Sequence, residues 1–526
     1  MTTGTPPEKP TRAGQRQENR HMNLAHKLDA LRSAGGHRQT IGLADDVINR
    51  FADNDPRLVE AVEAALSARE CWESLYPDLF QLDESAQIER VHEHVACFYP
   101  PGTVKPYVAL AARGPWIVSA KGAVLYDCGG YGMLGAGHAP AHVLRVLQAP
   151  HVMANVMTPS PSQHRLVQLL REELGHTRRE PCPYESFLFL NSGSESVSVA
   201  ARMADINAKL MTDPGGRHAG KSIRALSLRK SFHGRTDRPA QFSDSTRPTY
   251  QKYLASYRDI GPLLTVEPNN LEQLKAVFKQ ADDEGFFIEA LFMEPVMGEG
   301  NPGLAITPEF YALARELTLA HGSLLLIDSI QAGLRVHGCL SIIDYPGFQH
   351  LAAPDLETFS KALNAGQFPM SVLAFNSRAK ALQRAGIYGN TMTTNPKAMD
   401  VASAVLESIT PQLRENIRDR GREAVEKFSA LREELGGLIT AVQGTGLLFS
   451  VELAPVFNCY GFDSTEEYMR QHGINVIHGG TNSLRFTPNF SVTSAEIDLL
   501  VEVTRDALLN GPRVDLSEPG RAVGTG

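Results

Sequence analysis

Between residues 140 and 390, short apolar runs alternate with longer stretches of helical periodicity. "SFLFLN" (186–191), "IRALSLRKSF", "IEALFMEPV" and "SLLLIDSI" have the length and the uniformly apolar character of strands covered on both faces. Between them lie patterns such as "SESVSVAARMADINAKLM" and "TPEFYALARELTLAHG". The second has Thr307 as N-cap, Pro308 at the first helical position and Gly322 just past its end. "DLETFSKAL" and "SVLAF" read as a strand pair around a lysine. Buried strands joined by helices predict an α/β fold with a mostly parallel central sheet.

The flanks have a different character. Residues 1–22 read as a disordered polar tail, with no apolar segment of the kind a secretory leader carries. From 23 to about 98 the periodicity is helical, as in "DPRLVEAVEAALSARECWESLY". Two prolines in "FYPPGTV" break it, and β-like pieces follow in "YVALAARGPWIVSAKGAVLYDCGG", where Gly114 and Gly122 suit turns. Beyond 390 come "NPKAMDVASAVLESI", a charged amphipathic run over 411–435 and a mixed stretch with "LLFSVEL", "INVIHGG" and "SLRFTPNF". A closing helix is capped by Ser494, and a Gly/Pro-rich tail over 511–526 is expected to be disordered. The expected division is therefore a tail (1–22), a helical extension with the first part of a small domain (23–139), a large domain (140–390), the rest of the small domain (391–510) and a second tail (511–526).

A net charge of −8 gives no reason to expect nucleic acid or an anionic membrane as partner. No apolar run approaches the ~20 residues that span a bilayer. The six cysteines are scattered, which fits reduced thiols in the cytoplasm rather than a disulfide framework. In "HEHVAC", His92, His94 and Cys97 lie close together, but no second ligand group follows at zinc-like spacing. A partly buried amphipathic helix is the plainer reading, and no metal is expected.

In an open α/β sheet, ligands bind beyond the carboxyl ends of the strands. There the predicted strands deliver Asn191-Ser-Gly-Ser-Glu195, Phe232-His-Gly-Arg-Thr236, Glu294 followed by Gly298-Glu-Gly300, Asp328-Ser-Ile-Gln331, and Lys361. Each has an ordinary alternative: a helix N-cap, a solvated lysine, a loop-capping aspartate. As a set they fit one chemistry. Gly193 and Ser194 open a helix whose free N–H groups favour a phosphate. Lys361, at the edge of an apolar sheet, has its amine pushed toward the neutral form that makes a Schiff base. A buried Asp328 can keep a pyridine nitrogen protonated, as pyridoxal phosphate chemistry needs. Its partner is then expected to be a cofactor cation rather than a residue.

"YDCGGYGMLGAGH", "FLNSGSES", "FHGRT", "EPVMGEG", "DSIQAG", "SKAL", "TNP" and "LRFTP" occur in an order and spacing that resemble the class III (omega) aminotransferases, from about 105 to 505. The resemblance implies the pyridoxal-phosphate-dependent fold type I scaffold, with a small α+β domain built from both ends of the chain. It makes Lys361 the cofactor-linked proton shuttle and Asp328 the partner of the ring nitrogen. Gln331 would reach the phenolic oxygen, Phe232 and Ile330 would flank the ring, and Gly193 and Ser194 would bind the phosphate. Thr391 of a neighbouring subunit would help them, so that a homodimer shares its active sites. Arg485 would bind a substrate carboxylate, Glu299 would pair with that arginine as a gate, and Tyr131 and Arg235 would contact substrate.

The activity implied is ping-pong transfer of an amino group from an ω-amino or diamino acid to a 2-oxo acid, with 2-oxoglutarate the expected acceptor. A pyridoxal-phosphate aminomutase, epimerase or decarboxylase, and a non-enzymatic binding protein, are the alternatives. Three departures from the family pattern stand out. Ser329 replaces an acidic residue after Asp328, Thr393-Thr394 replaces a pair of glycines, and the proline of "GHAPAHV" is shifted. The Thr pair is expected to reshape the loop near the phosphate.

Overall fold

The computed structural model describes residues 12–33, 35–153 and 157–515. Seven strands form its largest sheet: β1 (Ser186–Leu190), β2 (Ser222–Leu228), β3 (Leu264–Val266), β4 (Phe286–Met293), β5 (Leu324–Asp328), β6 (Leu356–Phe359) and β7 (Ser371–Phe375). Their order is β1-β7-β6-β5-β4-β2-β3. Neighbours from β6 through β3 pair parallel, and β7 runs antiparallel to both β1 and β6. The expected α/β sheet is therefore present, with one reversed strand following the lysine.

All eight residues of β4, "FFIEALFM", are buried. Each Phe, Leu or Ile taken from water there contributes about 1.5–3 kcal/mol. The one carboxylate in the run, Glu289, is neutralised by Arg238 at 2.8 and 3.0 Å. The helix Gly193–Thr212 covers the sheet with Val197, Ala200, Ala201 and Ala204, small residues that let it lie close against Phe292, Leu326 and Leu373. The helix Pro308–His321 begins on Thr307, whose hydroxyl accepts from Phe310 N–H, and stops at Gly322 in the left-handed region (φ 88°).

The chain divides into two compact units. One comprises the residues up to Cys128 with 460–476 and 506–512; the other comprises 129–459 and 477–505 with the segment from Arg513. The boundary thus falls near 128 rather than 139. Most of the expected small-domain segment after 390 groups with the large sheet, including the antiparallel sheet built from Ile439–Thr445, Leu448–Leu453, Ser483–Phe486 and Ile477–Gly479.

In the first unit, strands Ala109–Arg113, Trp116–Ser119, Val124–Asp127 and Ile474–Asn475 form a small sheet. The helical extension is built onto it. The Trp116 indole donates to Asp55 (2.8 Å), the residue that caps the helix Pro56–Leu75. Buried Lys121 donates to the carbonyls of Gly35, Phe80 and Leu82. No helix among the described residues is long and apolar enough to cross a membrane.

Three local expectations need correction. A helix starts at Arg12, inside the expected tail, whose residues 1–11 lie outside the described residues. Leu24, Leu28 and Leu31 are buried on one stripe, and the Arg, Gln and Glu before them are good helix formers that extend the nucleated turn. The helix at "HEHVAC" ends at His92, leaving His94 and Cys97 exposed. The last helix is capped by Thr493, not Ser494: Thr493 Oγ1 accepts from Glu496 N–H, and the Glu496 carboxylate accepts from Thr493 N–H.

The end of the sheet away from Asp328 is held by Asp355. It is fully buried and accepts from Arg315 (2.8 and 3.1 Å), Arg378 (2.9 Å) and Leu325 N–H (2.9 Å). Asp355→Asn leaves two guanidinium groups short of a counter-charge, and we expect it to destabilise by about 3–5 kcal/mol. Denaturant unfolding measures this; a change below about 1 kcal/mol would show that the cluster is not what holds this end of the sheet.

Candidate active site

A cavity of about 360 Å³ opens at the carboxyl ends of the central strands. Its wall includes Asn191 to Ser194 after β1, Phe232 to Gly234 after β2, and Glu294 after β4. Asp328, Ile330 and Gln331 come from β5, and Ser360, Lys361 and Asn364 from the turn between β6 and β7. Seven of the expected residues thus meet on one surface: Lys361, Asp328, Gln331, Ile330, Gly193, Ser194 and Phe232. Tyr131, Arg235, Glu299, Thr391 and Arg485 stand outside that wall.

Lys361 has a left-handed backbone (φ 47°), which lets the chain turn sharply as it leaves β6. Burial, reinforced by Arg485, lowers its amine to about 8, while Glu299 and Asp328 pull the other way. A substantial share of the amine is therefore neutral near pH 8.

Asp328 ends β5 and is buried. It does have residue partners, contrary to expectation. His233 Nδ1 lies 2.8 Å from Oδ2, and Oδ1 accepts from Ile330 N–H (3.2 Å) and Thr358 Oγ1 (3.3 Å). His233 is the main site residue that "FHGRT" does not mark as functional, because its partner lies 95 positions away. Glu294 is a second residue to which the sequence assigned no role. It is buried, accepts from Phe232 N–H (3.0 Å) and Gly298 N–H (2.8 Å), and burial pushes it up to about 7. Two buried polar atoms of the wall have no hydrogen-bond partner, Gln331 Oε1 and His233 Nε2.

The end of the cavity at the N-terminus of the helix Gly193–Thr212 is shaped by glycine. A Cβ on Gly193 would stand 2.6 Å from Ile330 Cδ1. One on Gly234 (φ 115°) would stand 2.6 Å from Ser194 Oγ. Ser192 caps the helix by accepting from Glu195 N–H, which leaves the first N–H groups at Gly193 and Ser194 directed outward. Glu195 also accepts from Asn390 (2.9 Å), tying the turn that carries exposed Thr391 to this helix. In that turn Thr394 keeps a left-handed backbone (φ 60°) despite its branched side chain, so this one of the two threonines holds a glycine-like conformation.

Arg485 lies in the antiparallel sheet, buried, with its guanidinium 5.2 Å from the Tyr131 ring centroid. It donates to the Gly298 carbonyl, and its Nε has no partner. Glu299 forms an ion pair with Arg235 at 3.6 Å. The gate expected between Glu299 and Arg485 thus takes another form here, with Arg235 on Glu299 and Arg485 on the neighbouring carbonyl. Arg335, fully buried, donates to the carbonyls of Gly132, Leu447 and Pro488, which fixes the loop carrying Tyr131 beside the strand end carrying Arg485.

Residues 98–508 match the model of the family "Aminotransferase class-III". The chain belongs to that family of pyridoxal-phosphate-dependent enzymes, and it is an aminotransferase. An acetylornithine aminotransferase of Xanthomonas campestris pv. campestris is 29% identical over 309 residues, 58% of this chain and 70% of that protein. An ornithine aminotransferase of Staphylococcus epidermidis is 29% identical over 408 residues, 76% of this chain and 93% of that protein. The crystal structure of the Toxoplasma gondii ME49 ornithine aminotransferase is similar at a TM-score of 0.67, with 21% identity over 83% of this chain and 98% of that one. At that identity the likeness is one of fold: α/β, fold type I.

The cavity suits pyridoxal 5'-phosphate. It offers an amine lowered to about 8, a buried carboxylate, a glycine cradle at a helix N-terminus and an orphaned amide oxygen. We expect His233→Ala to destabilise the cofactor-free protein by about 1.5–3 kcal/mol, because it leaves the buried Asp328 short of a donor. Unfolding in denaturant checks this, and an unchanged free energy would show that Asp328 does not need the imidazole.

Proposed function

We propose that this enzyme transfers an amino group from an ω-amino or diamino acid to a 2-oxo acid, with 2-oxoglutarate the acceptor, as a cytoplasmic homodimer. The observation that carries the reading is the meeting of Lys361 and Asp328 on one cavity wall, with buried Arg485 near enough to lower the Lys361 amine. The named relatives support the donor class: both are aminotransferases of ornithine or its acetyl derivative.

Bound pyridoxal 5'-phosphate supplies an aldehyde and an electron-withdrawing ring. Gly193 and Ser194 hold the phosphate with backbone N–H groups, joined by Thr391 of a second copy. Asp328, kept in place by His233 and Thr358, would hold a proton on the ring nitrogen. Gln331 would reach the phenolic oxygen, and Phe232 and Ile330 would close the two faces of the ring. Lys361 would hold the cofactor through its neutral amine and, once a substrate amine has displaced it, would be the group placed to hold and move the substrate proton.

Arg485, whose Nε is unpartnered, receives a substrate carboxylate through its planar fork. Tyr131 stacks on that guanidinium, and Arg235 draws Glu299 aside. An amine entering by its distal nitrogen and a 2-oxo acid entering by its carboxylate can then use one site in turn.

Absorbance spectra test the reading. The purified protein with cofactor should show a yellow band that ornithine or a related ω-amine bleaches and 2-oxoglutarate restores. Bleaching without restoration would favour a mutase, epimerase or decarboxylase. Lys361→Ala should abolish both changes. Capture of the cofactor by wild type should speed up with pH to about 8 and then level off, because only the neutral amine attacks. An unperturbed lysine would keep accelerating toward about 10.5.

A further inference from the structure

We propose that Glu357 is a positioning residue that fixes the strand ends carrying Asp328 and Lys361, supplying from β6 the carboxylate that the chain lacks at Ser329. The inference rests on the functional reading above.

Glu357 is fully buried in β6, four residues before Lys361. The parallel register sets Glu357 beside Ile327 and Thr358 beside Asp328. Successive side chains of a strand point to opposite faces. Thr358 accordingly donates to Asp328 on the cavity side (3.3 Å), while Glu357 accepts from Ser329 Oγ at 2.6 Å on the other side. Two adjacent residues of β6 thus grip two adjacent residues at the end of β5, one pair on each face.

The carboxylate collects donors from three further points. The Tyr184 hydroxyl precedes β1, and Ser341 Oγ and Ile342 N–H (3.1 Å) lie beyond the turn after Gln331. Three hydroxyls and one N–H converge on two oxygens, with no cation among these donors. The backbone N–H can only donate and the three hydroxyls can all donate, so the set suits the several lone pairs of a carboxylate. Burial works against that charge and pushes the carboxyl up to about 7, so the donors are what hold it. A group this costly to bury, touching neither cavity nor solvent, acts through the segments it joins.

The link to Ser329 is geometric. A glutamate at 329 would place its Cγ where Ser329 Oγ now stands, and its carboxylate would then fall close to the present Glu357 Oε1, 2.6 Å beyond. Position 329 and position 357 therefore deliver a carboxylate to one spot, and this chain uses 357.

The experiment compares Glu357→Leu, Glu357→Gln, Ser329→Glu and the double variant Ser329→Glu/Glu357→Leu as full-length protein. Three quantities are measured: cofactor affinity by absorbance titration, kcat and KM with ornithine and 2-oxoglutarate, and the thermal midpoint. Glu357→Leu should lower kcat about 100-fold and weaken cofactor binding, with KM little changed, as expected for a displaced catalytic pair. Ser329→Glu alone should also impair both, since it crowds two carboxylates together. The double variant should recover kcat and cofactor affinity to within about tenfold of wild type.

If Glu357→Leu does not fold, Glu357→Gln carries the test, with an expected loss in kcat of about tenfold. Unchanged kcat and cofactor affinity in a folded Glu357 variant whose midpoint alone falls would overturn the proposal. So would a double variant no better than Glu357→Leu. Should wild type prove inactive with ω-amines, the cofactor titration and its rescue still decide this inference, because neither depends on the substrate.

Discussion

A carboxylate buried at the end of an apolar strand is the constraint around which the large unit is arranged. Taking Asp328 out of water is costly unless every oxygen finds a donor. His233, Thr358 and the Ile330 N–H provide them, from the segment after β2, from β6 and from the turn after β5. Those contacts hold the site before any cofactor enters. They also explain why the lysine turn is built as it is: β6 must lie in register with β5 for Thr358 to reach Asp328, and that register delivers Lys361 to the cavity.

The two ends of the sheet divide the work. At one end Asp355 accepts from two arginines and a backbone N–H, with Arg315 Nε left unpartnered. At the other, partners are left incomplete: Gln331 Oε1, His233 Nε2 and Arg485 Nε are buried and unpartnered, and Lys361 is lowered to about 8. Such groups are costly to bury, and those on the cavity wall are the ones a ligand there can satisfy. A further buried carboxylate, Glu357, accepts several donors and does not line the cavity.

The sequence failed where distant segments decide. Nothing in "DSIQAG" reveals that the partner of Asp328 is a histidine 95 positions earlier, since side-chain pairing across a parallel sheet follows register, not sequence distance. Likewise Ser329 read as a missing acid, while Glu357 in "LETF" read as one more strand residue. Only the pairing of β5 with β6 sets the two 2.6 Å apart. The cap at Thr493 was missed by one residue, the usual uncertainty of a helix end where two adjacent residues can both cap. The unit boundary was misplaced because contact density, not composition, sets it.

By itself the sequence determined the strand and helix alternation, the α/β class, the helix caps at Thr307 and Gly322, and the short list of polar residues at strand ends. These rest on local periodicity and on backbone preferences that act within a few residues. Tertiary structure alone decided which of those residues meet. It placed His233 on Asp328, Arg235 rather than Arg485 on Glu299, Arg335 among three carbonyls, and Glu357 against Ser329. The physical reason is that a hydrogen bond or ion pair depends on separation in space, and strand order and register set that separation only once the sheet is assembled.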